Sequence, residues 1–386
     1  MMKKSVKKVM LPVMAAAMAV SFGALVSAED ETISLTVWGA EEDQTLLKEL
    51  TDNFQAAYPD QTFDIQIGVE SESTAKDTVL TDVEAAADVY AFADDQITDL
   101  VKAGALLKLD DYAEVLQMAG KTLDDVKDAN VEGSVDAATI DGGLYAFPRA
   151  ADNGYFLYYD ASVLSEEDVA SWSSLLEAAD AAGKKVGMTL ASGWYNASFF
   201  YGAGFTTGLN DDGTTAIDWN GTSADGYTGV DVVKGMLAIS GSPAFMAIAD
   251  GDISNQLASG NLAACVSGTW DAMTAQEVFG DGYAATKLPT FTVGDQEVQQ
   301  GSVAGYKYIG VNGYSENSGW AVLLADYLSN EEAQQKFFDE RESGPSNKNV
   351  GASDAIKENV ALSALAQQSE YAQAQKVGGK YWDPSQ

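Results

Sequence analysis

The chain has 386 residues, 58 of them acidic against 22 basic, with a formal charge of −36, no histidine and one cysteine. Charge of one sign on this scale makes nucleic acid and anionic lipid surfaces poor partners. The missing imidazole excludes histidine-based triad hydrolases and histidine zinc sites, and a lone cysteine excludes an intrachain disulfide. With 46% hydrophobic and 10% aromatic residues the chain can still bury a core, so it reads as a folded, highly soluble acidic protein rather than a disordered one.

Lys3, Lys4, Lys7 and Lys8 precede an apolar run from Val9 to Leu25, then the small residues Val26-Ser27-Ala28 and the acidic Glu29-Asp30-Glu31. That pattern predicts a secretory signal peptide over 1–28, its apolar run short of a membrane span. The remainder carries 18 basic and 58 acidic residues, a charge of −40, and its length suits two domains.

Ile33, Leu35 and Val37 alternate with Ser34, Thr36 and Trp38, the period of a strand. A helix follows, opened by Glu41, Glu42 and Asp43 at the positive end of its dipole, with the stripe Leu46, Leu47, Leu50, Phe54 and Tyr58 and an end at Pro59. Phe63, Ile65, Ile67 and Val69 alternate again. Residues 33–69 thus predict strand, crossover helix and strand, the unit of a parallel sheet. Asp88-Val89-Tyr90-Ala91-Phe92 is a further strand that delivers Ala93-Asp94-Asp95-Gln96 to its carboxyl end, the edge at which ligands bind in open α/β sheets. The helix with Ile97, Leu100 and Val101 stops at Gly104.

Leu144-Tyr145-Ala146-Phe147-Pro148 leads to Asp152-Asn153-Gly154 and an aromatic strand through Tyr159, where a second α/β region begins. Ser171 caps a helix bearing Trp172, Leu175, Leu176 and Ala179. Residues 202–230 are rich in Gly, Thr, Asp and Asn and predict surface turns. Cys265, in Asn261-Leu262-Ala263-Ala264-Cys265-Val266, reads as a buried strand residue with nothing basic beside it to activate the thiol. Tyr306 to Val311 predicts a strand and Trp320 to Leu324 a helix.

The fragments Thr36-Val37-Trp38, Asp88-Val89-Tyr90, Ala103-Gly104-Ala105-Leu106-Leu107, Leu144-Tyr145-Ala146-Phe147-Pro148, Ser267-Gly268-Thr269-Trp270, Lys287-Leu288-Pro289-Thr290 and Gly344-Pro345-Ser346 occur in this order along the chain. Together they resemble the maltose-binding-protein type of extracellular solute-binding protein. The resemblance implies an α/β, two-lobed periplasmic-binding-protein-like fold (type II) with the ligand cleft between the lobes. It implies crossings near Ala150-Ala151, Thr290 and Ser343-Gly344. The lobes would then be 29–150 plus 291–343, and 151–290 plus 344–386, with more C-terminal helices than this sequence shows. It further implies a non-enzymatic, monomeric subunit of an ABC importer, without cofactor or metal. Such a subunit captures maltose- or maltodextrin-like oligosaccharides outside the cytoplasmic membrane for the permease subunits. Ala28 stands where relatives carry a lipid-attachment cysteine, so no lipid anchor is expected.

A sugar presents apolar C–H faces and a fringe of hydroxyls, so its site needs aromatic platforms beside carboxylates or amides. The resemblance assigns Phe92, Trp194, Tyr195 and Trp270 as platforms, Asp95, Gln96 and Asp152 as the polar clamp, Glu41, Glu42 and Asp43 as the loop after the first strand, and Trp382 as a rim contact. Gln96 stands where the family has an arginine. Arg149, one of two arginines, is expected to pair with a neighbouring carboxylate. Trp38 and Trp172 are expected in the core. Competing readings are a secreted glycoside hydrolase with an acidic pair flanked by aromatics, and a solute-binding protein for a peptide, polyamine or metal.

Overall fold

A computed structural model describes residues 32–210, 213–375, 377 and 381; the leader and Trp382 lie outside the described residues. Two separate sheets organise the chain. In the first, Ile33–Gly39 lies between Phe63–Val69 and Val89–Ala93, parallel to both. Antiparallel to Val89–Ala93 runs the long strand Ser302–Val311, which also pairs with Ala146–Asn153 and, near its start, with Ala372–Ala374. The expected strand, helix, strand unit is present. Ile33, Leu35 and Val37 point inward, and the helix Gln44–Ala57 buries Leu46, Leu47, Leu50 and Phe54 against them before Pro59.

The second sheet runs in the order Phe245–Ala247, Lys185–Met188, Leu262–Ser267, Phe156–Asp160, Tyr283–Thr286. Both its faces are covered, which is why its strands read as continuous apolar runs. Leu157, Tyr159, Val186, Ala264 and Val266 face one core, while Phe156, Tyr158, Leu262 and Cys265 face another. The Ser171 hydroxyl accepts from the Ser174 amide as a helix cap, and Trp172 is buried beneath it. A helix over Gly229–Ser240, within and beyond the stretch read as turns, was not predicted.

Among the described residues the chain passes between the sheets more than once. The strand Ala146–Asn153 belongs to the first sheet and Phe156–Asp160 to the second. The hairpin Thr290–Val293 with Gln296–Gln299 still packs on the second core through Phe291 and Val293, as does Val303. The return therefore runs along Ser302–Val311 and later than Thr290, because an apolar hairpin intervenes. The helices Ser318–Ser329 and Glu331–Arg341 cover the first core, and after Ser343–Asn347 the helix Val360–Ser369 packs Ala361 and Ala364 on the second. No helix among the described residues is long and apolar enough to cross a membrane.

Candidate functional site between the lobes

The first-lobe side of the cleft is a wall of opposed charges. Arg149, on the strand Ala146–Asn153, is 3% exposed, pairs with the Glu72 carboxylate and lies over the Phe337 ring, 4.4 Å from its centroid. Arg341 Nε reaches Asp43 Oδ1 at 3.2 Å. Burial alone would raise the Glu72 carboxyl, but Lys307 and Arg149 hold it below its ordinary value. Burial does raise the Asp43 carboxyl, against the opposing pull of Arg149. For Arg149 burial works against the charge, and Glu72, Asp43 and Asp152 outweigh it. The expected pairing of Arg149 with a carboxylate is present.

Asp152, 1% exposed, ties the crossings together. Its Oδ2 accepts from the Thr269 hydroxyl at 2.8 Å, the Ser343 hydroxyl at 3.1 Å and the Gly344 amide at 2.6 Å. Its Oδ1 has no partner among the described residues.

The second-lobe side is aromatic. Leu262–Ser267 ends at Gly268, and the next turn carries Trp270, half-buried. The six-membered ring of Trp270 lies so close to Gly268 that a Cβ there would come within 2.2 Å of it, so any larger residue would push the ring from its place. Trp194 stands 6.0 Å away, tilted by 45°. Asp271 fastens the turn by accepting from the Ser254 and Ser267 hydroxyls, with its carboxyl raised by burial. Across the cleft, Lys307 Nζ stands over the Trp270 ring, 5.2 Å from its centroid.

The residues named from sequence separate here. Glu42, Asp43 and Trp270 meet in one gap with Glu72, Arg149, Thr269, Lys307, Arg341 and Ser343. Its volume is about 20 Å³, room for a water and not for a hexose. Glu41 is exposed beside it. Asp95 is half-buried in the turn after Val89–Ala93, next to Asp94, whose carboxyl is pushed well up by burial and by the Asp95 charge.

Phe92, expected as a platform, is instead wholly buried between Tyr90 and Tyr308, because its strand is central in the sheet and covered on both faces. Gln96, expected in the clamp, spends its amide on the backbone: Nε2 donates to the Glu72 and Ser73 carbonyls and Oε1 accepts from the Lys76 amide. Tyr195 is 4% exposed and packs under Trp194 and Tyr155 as a support. Sequence reasoning missed Glu72, Lys307 and Arg341. A lysine between two tyrosines in an apolar strand was a usable signal, because a charge there needs a partner; Glu72 offered none. Among the described residues no group of three or more acidic or cysteine side chains is arranged to hold a metal.

Comparison with known proteins gives the fold and the family. A search of curated proteins found no match. A structure solved with acarbose is 31% identical, with a TM-score of 0.77 over 90% of this chain and 88% of that one. The ligand-free maltodextrin-binding protein MalE1 of L. casei BL23 is 23% identical, with a TM-score of 0.72 over 92% of each chain. The maltose/maltodextrin-binding domain MalE of Bdellovibrio bacteriovorus, bound to maltotriose, is 17% identical, with a TM-score of 0.76 over 92% of each. At the two lower identities the likeness establishes the two-lobed fold. The model of bacterial extracellular solute-binding proteins matches residues 49–364, and the chain belongs to that family.

Proposed function

We propose that this protein captures a maltodextrin-like or acarbose-like oligosaccharide outside the cytoplasmic membrane and hands it unchanged to the permease of an ABC importer. The observation that carries this reading is the pairing of two unlike surfaces across one gap. Trp270, with Trp194 beside it, offers an apolar ring face on one side, and fixed carboxylates and cations offer hydrogen bonds on the other. The acarbose complex of a 31% identical chain supports the same ligand class. In this reading residues 1–28 are a removed leader, and Asp152 marks the hinge about which the lobes move.

A thermal-shift screen tests it. Maltotriose or acarbose at 100 times its dissociation constant should stabilise the protein by about 2.7 kcal/mol, and the maltotriose should be recovered intact. New reducing ends appearing in proportion to the protein would turn the reading toward a hydrolase, and stabilisation by a peptide or polyamine alone would change the cargo.

A further inference from the structure

Trp194, half-buried beside Trp270, has one polar side-chain group, the indole N–H. That donor is taken: Nε1 bonds Gln375 Oε1 at 2.6 Å. Gln375 is 9% exposed and stands one residue past the strand Ala372–Ala374, which pairs in parallel with the start of Ser302–Val311. In Ala372-Gln373-Ala374-Gln375 the glutamines alternate with alanines, so both turn to one face. Gln373 Nε2 donates to the Phe205 carbonyl at 2.8 Å, just beyond the end of the helix Gly193–Gly202, while Gln375 meets Trp194 in the first turn of the same helix. The strand therefore brackets the helix that carries Trp194. Trp172 offers a contrast. Its indole donates to Gln300 Oε1, also at 2.6 Å, but that ring is 1% exposed and its N–H must find a partner inside the protein. The Trp194 ring is only half-buried, so the need to satisfy its N–H does not by itself call for a buried glutamine. What the bond adds is orientation.

We propose that Gln375 is a positioning residue for the aromatic wall: by holding the indole N–H it fixes the tilt of Trp194, and with it the ring of Trp270 that leans there, and it withholds the Trp194 donor from the ligand. The identity of the ligand rests on the sugar-binding reading; the orientation of the rings does not. Tyr155 and Tyr195 meet the Trp194 ring edge-on, at centroid distances of 4.6 and 5.0 Å. Edge contacts set the depth of the ring but tolerate a turn about its broad second torsion, whereas a bond to Nε1 is directional and selects one setting. A platform set in advance binds with less loss of side-chain freedom.

The test uses Q375M, Q375E, W194F and the Q375M/W194F double variant. In a heteronuclear magnetic-resonance spectrum without sugar, the Trp194 ring N–H is one of seven indole signals and is identified by its loss in W194F. It should move in Q375M. Calorimetric titration with maltotriose should show Q375M binding about three- to tenfold more weakly than the parent, the effect of one lost hydrogen bond. Q375E, which keeps an oxygen acceptor, should bind within about twofold of the parent. The double variant should bind no more weakly than W194F, because Gln375 then has nothing to hold. Should Q375M not fold, the bond is read in the parent: its Trp194 ring proton should exchange with deuterium more slowly than that of a free indole, and exchange at the free rate overturns the proposal. An unmoved ring signal in Q375M overturns it too, as do maltotriose binding by Q375M equal to the parent's, a Q375E as weak as Q375M, or a loss in the double variant equal to the sum of the single ones. If the ring signal moves but neither the parent nor any variant binds maltotriose or acarbose, the positioning of Trp194 stands and the sugar reading falls.

Discussion

The two walls of the cleft are held in place by different physics. On the first lobe Arg149, Glu72, Asp43, Arg341 and Lys307 form a nearly balanced set of buried charges, each fixed by the others. On the second, Trp270 leans on Trp194, which rests on Tyr195 and Tyr155, and one carboxylate, Asp271, fastens the turn beneath. A charged wall fails as a unit when one member is removed, because its partner is left uncompensated. An aromatic wall loses area in proportion to what is cut. Stability should therefore depend on the first wall and affinity on the second.

The sharpest way to break that contrast is Arg149→Met, which leaves the Glu72 carboxylate buried without its guanidinium. The expected loss is about 3–5 kcal/mol, a fall in melting temperature on the order of 10 °C. A variant that melts within a degree or two of its parent would mean that the wall is solvated and its charges independent. Trp270→Ala addresses the other side. It should bind maltotriose roughly ten- to hundredfold more weakly, taking about 1–3 kcal/mol for a lost stacking platform by analogy with bases on aromatic rings. Its ligand-free melting temperature should barely move; a large drop would make Trp270 a core residue.

The smallest expected effect concerns Asp94, beside the first wall but outside its ion pairs. Burial raises its carboxyl well above 3.8, and the Asp95 charge adds to this. The folded protein therefore holds that proton more tightly than the unfolded chain. The stability it contributes is fully present below about 3.8, the unfolded value, and is lost as pH rises through the folded one. Mild acidification from neutral should raise the melting temperature until Glu72, whose carboxyl is held low, begins to take up its proton and reverses the trend. Asp94→Asn keeps the shape without the charge. It should raise the neutral-pH melting temperature by about 2–4 °C, equivalent to about 1 kcal/mol, and flatten its rise on acidification. An unchanged pH profile would remove Asp94 as the source.

Much of the scaffold was legible in sequence because its signals are local. Ile33, Leu35 and Val37 alternate, Ser171 caps the helix that buries Trp172, and Gly104, at a φ of +69°, ends the helix after Lys102. The cleft was less legible because its pairs are remote in the chain: Arg341 meets Asp43 across 298 positions and Arg149 meets Glu72 across 77. Position at a strand end also fails to say which way a side chain turns. Phe92 and Gln96 stand at such an end, yet one entered the core and the other was taken up by the loop over Glu72 to Lys76. Trp270 was legible as a candidate because Ser-Gly-Thr before it marks the turn that carries it between the lobes.

The single cysteine has a practical consequence. Cys265 is fully buried in the second sheet, and burial pushes its thiol well above the ordinary range, so it offers almost no thiolate to a maleimide or a spin label at neutral pH. The chain is in effect blank for thiol chemistry. A pair of cysteines introduced on opposite rims could be tagged without altering the native residue, and the distance between the tags would report opening and closing one molecule at a time.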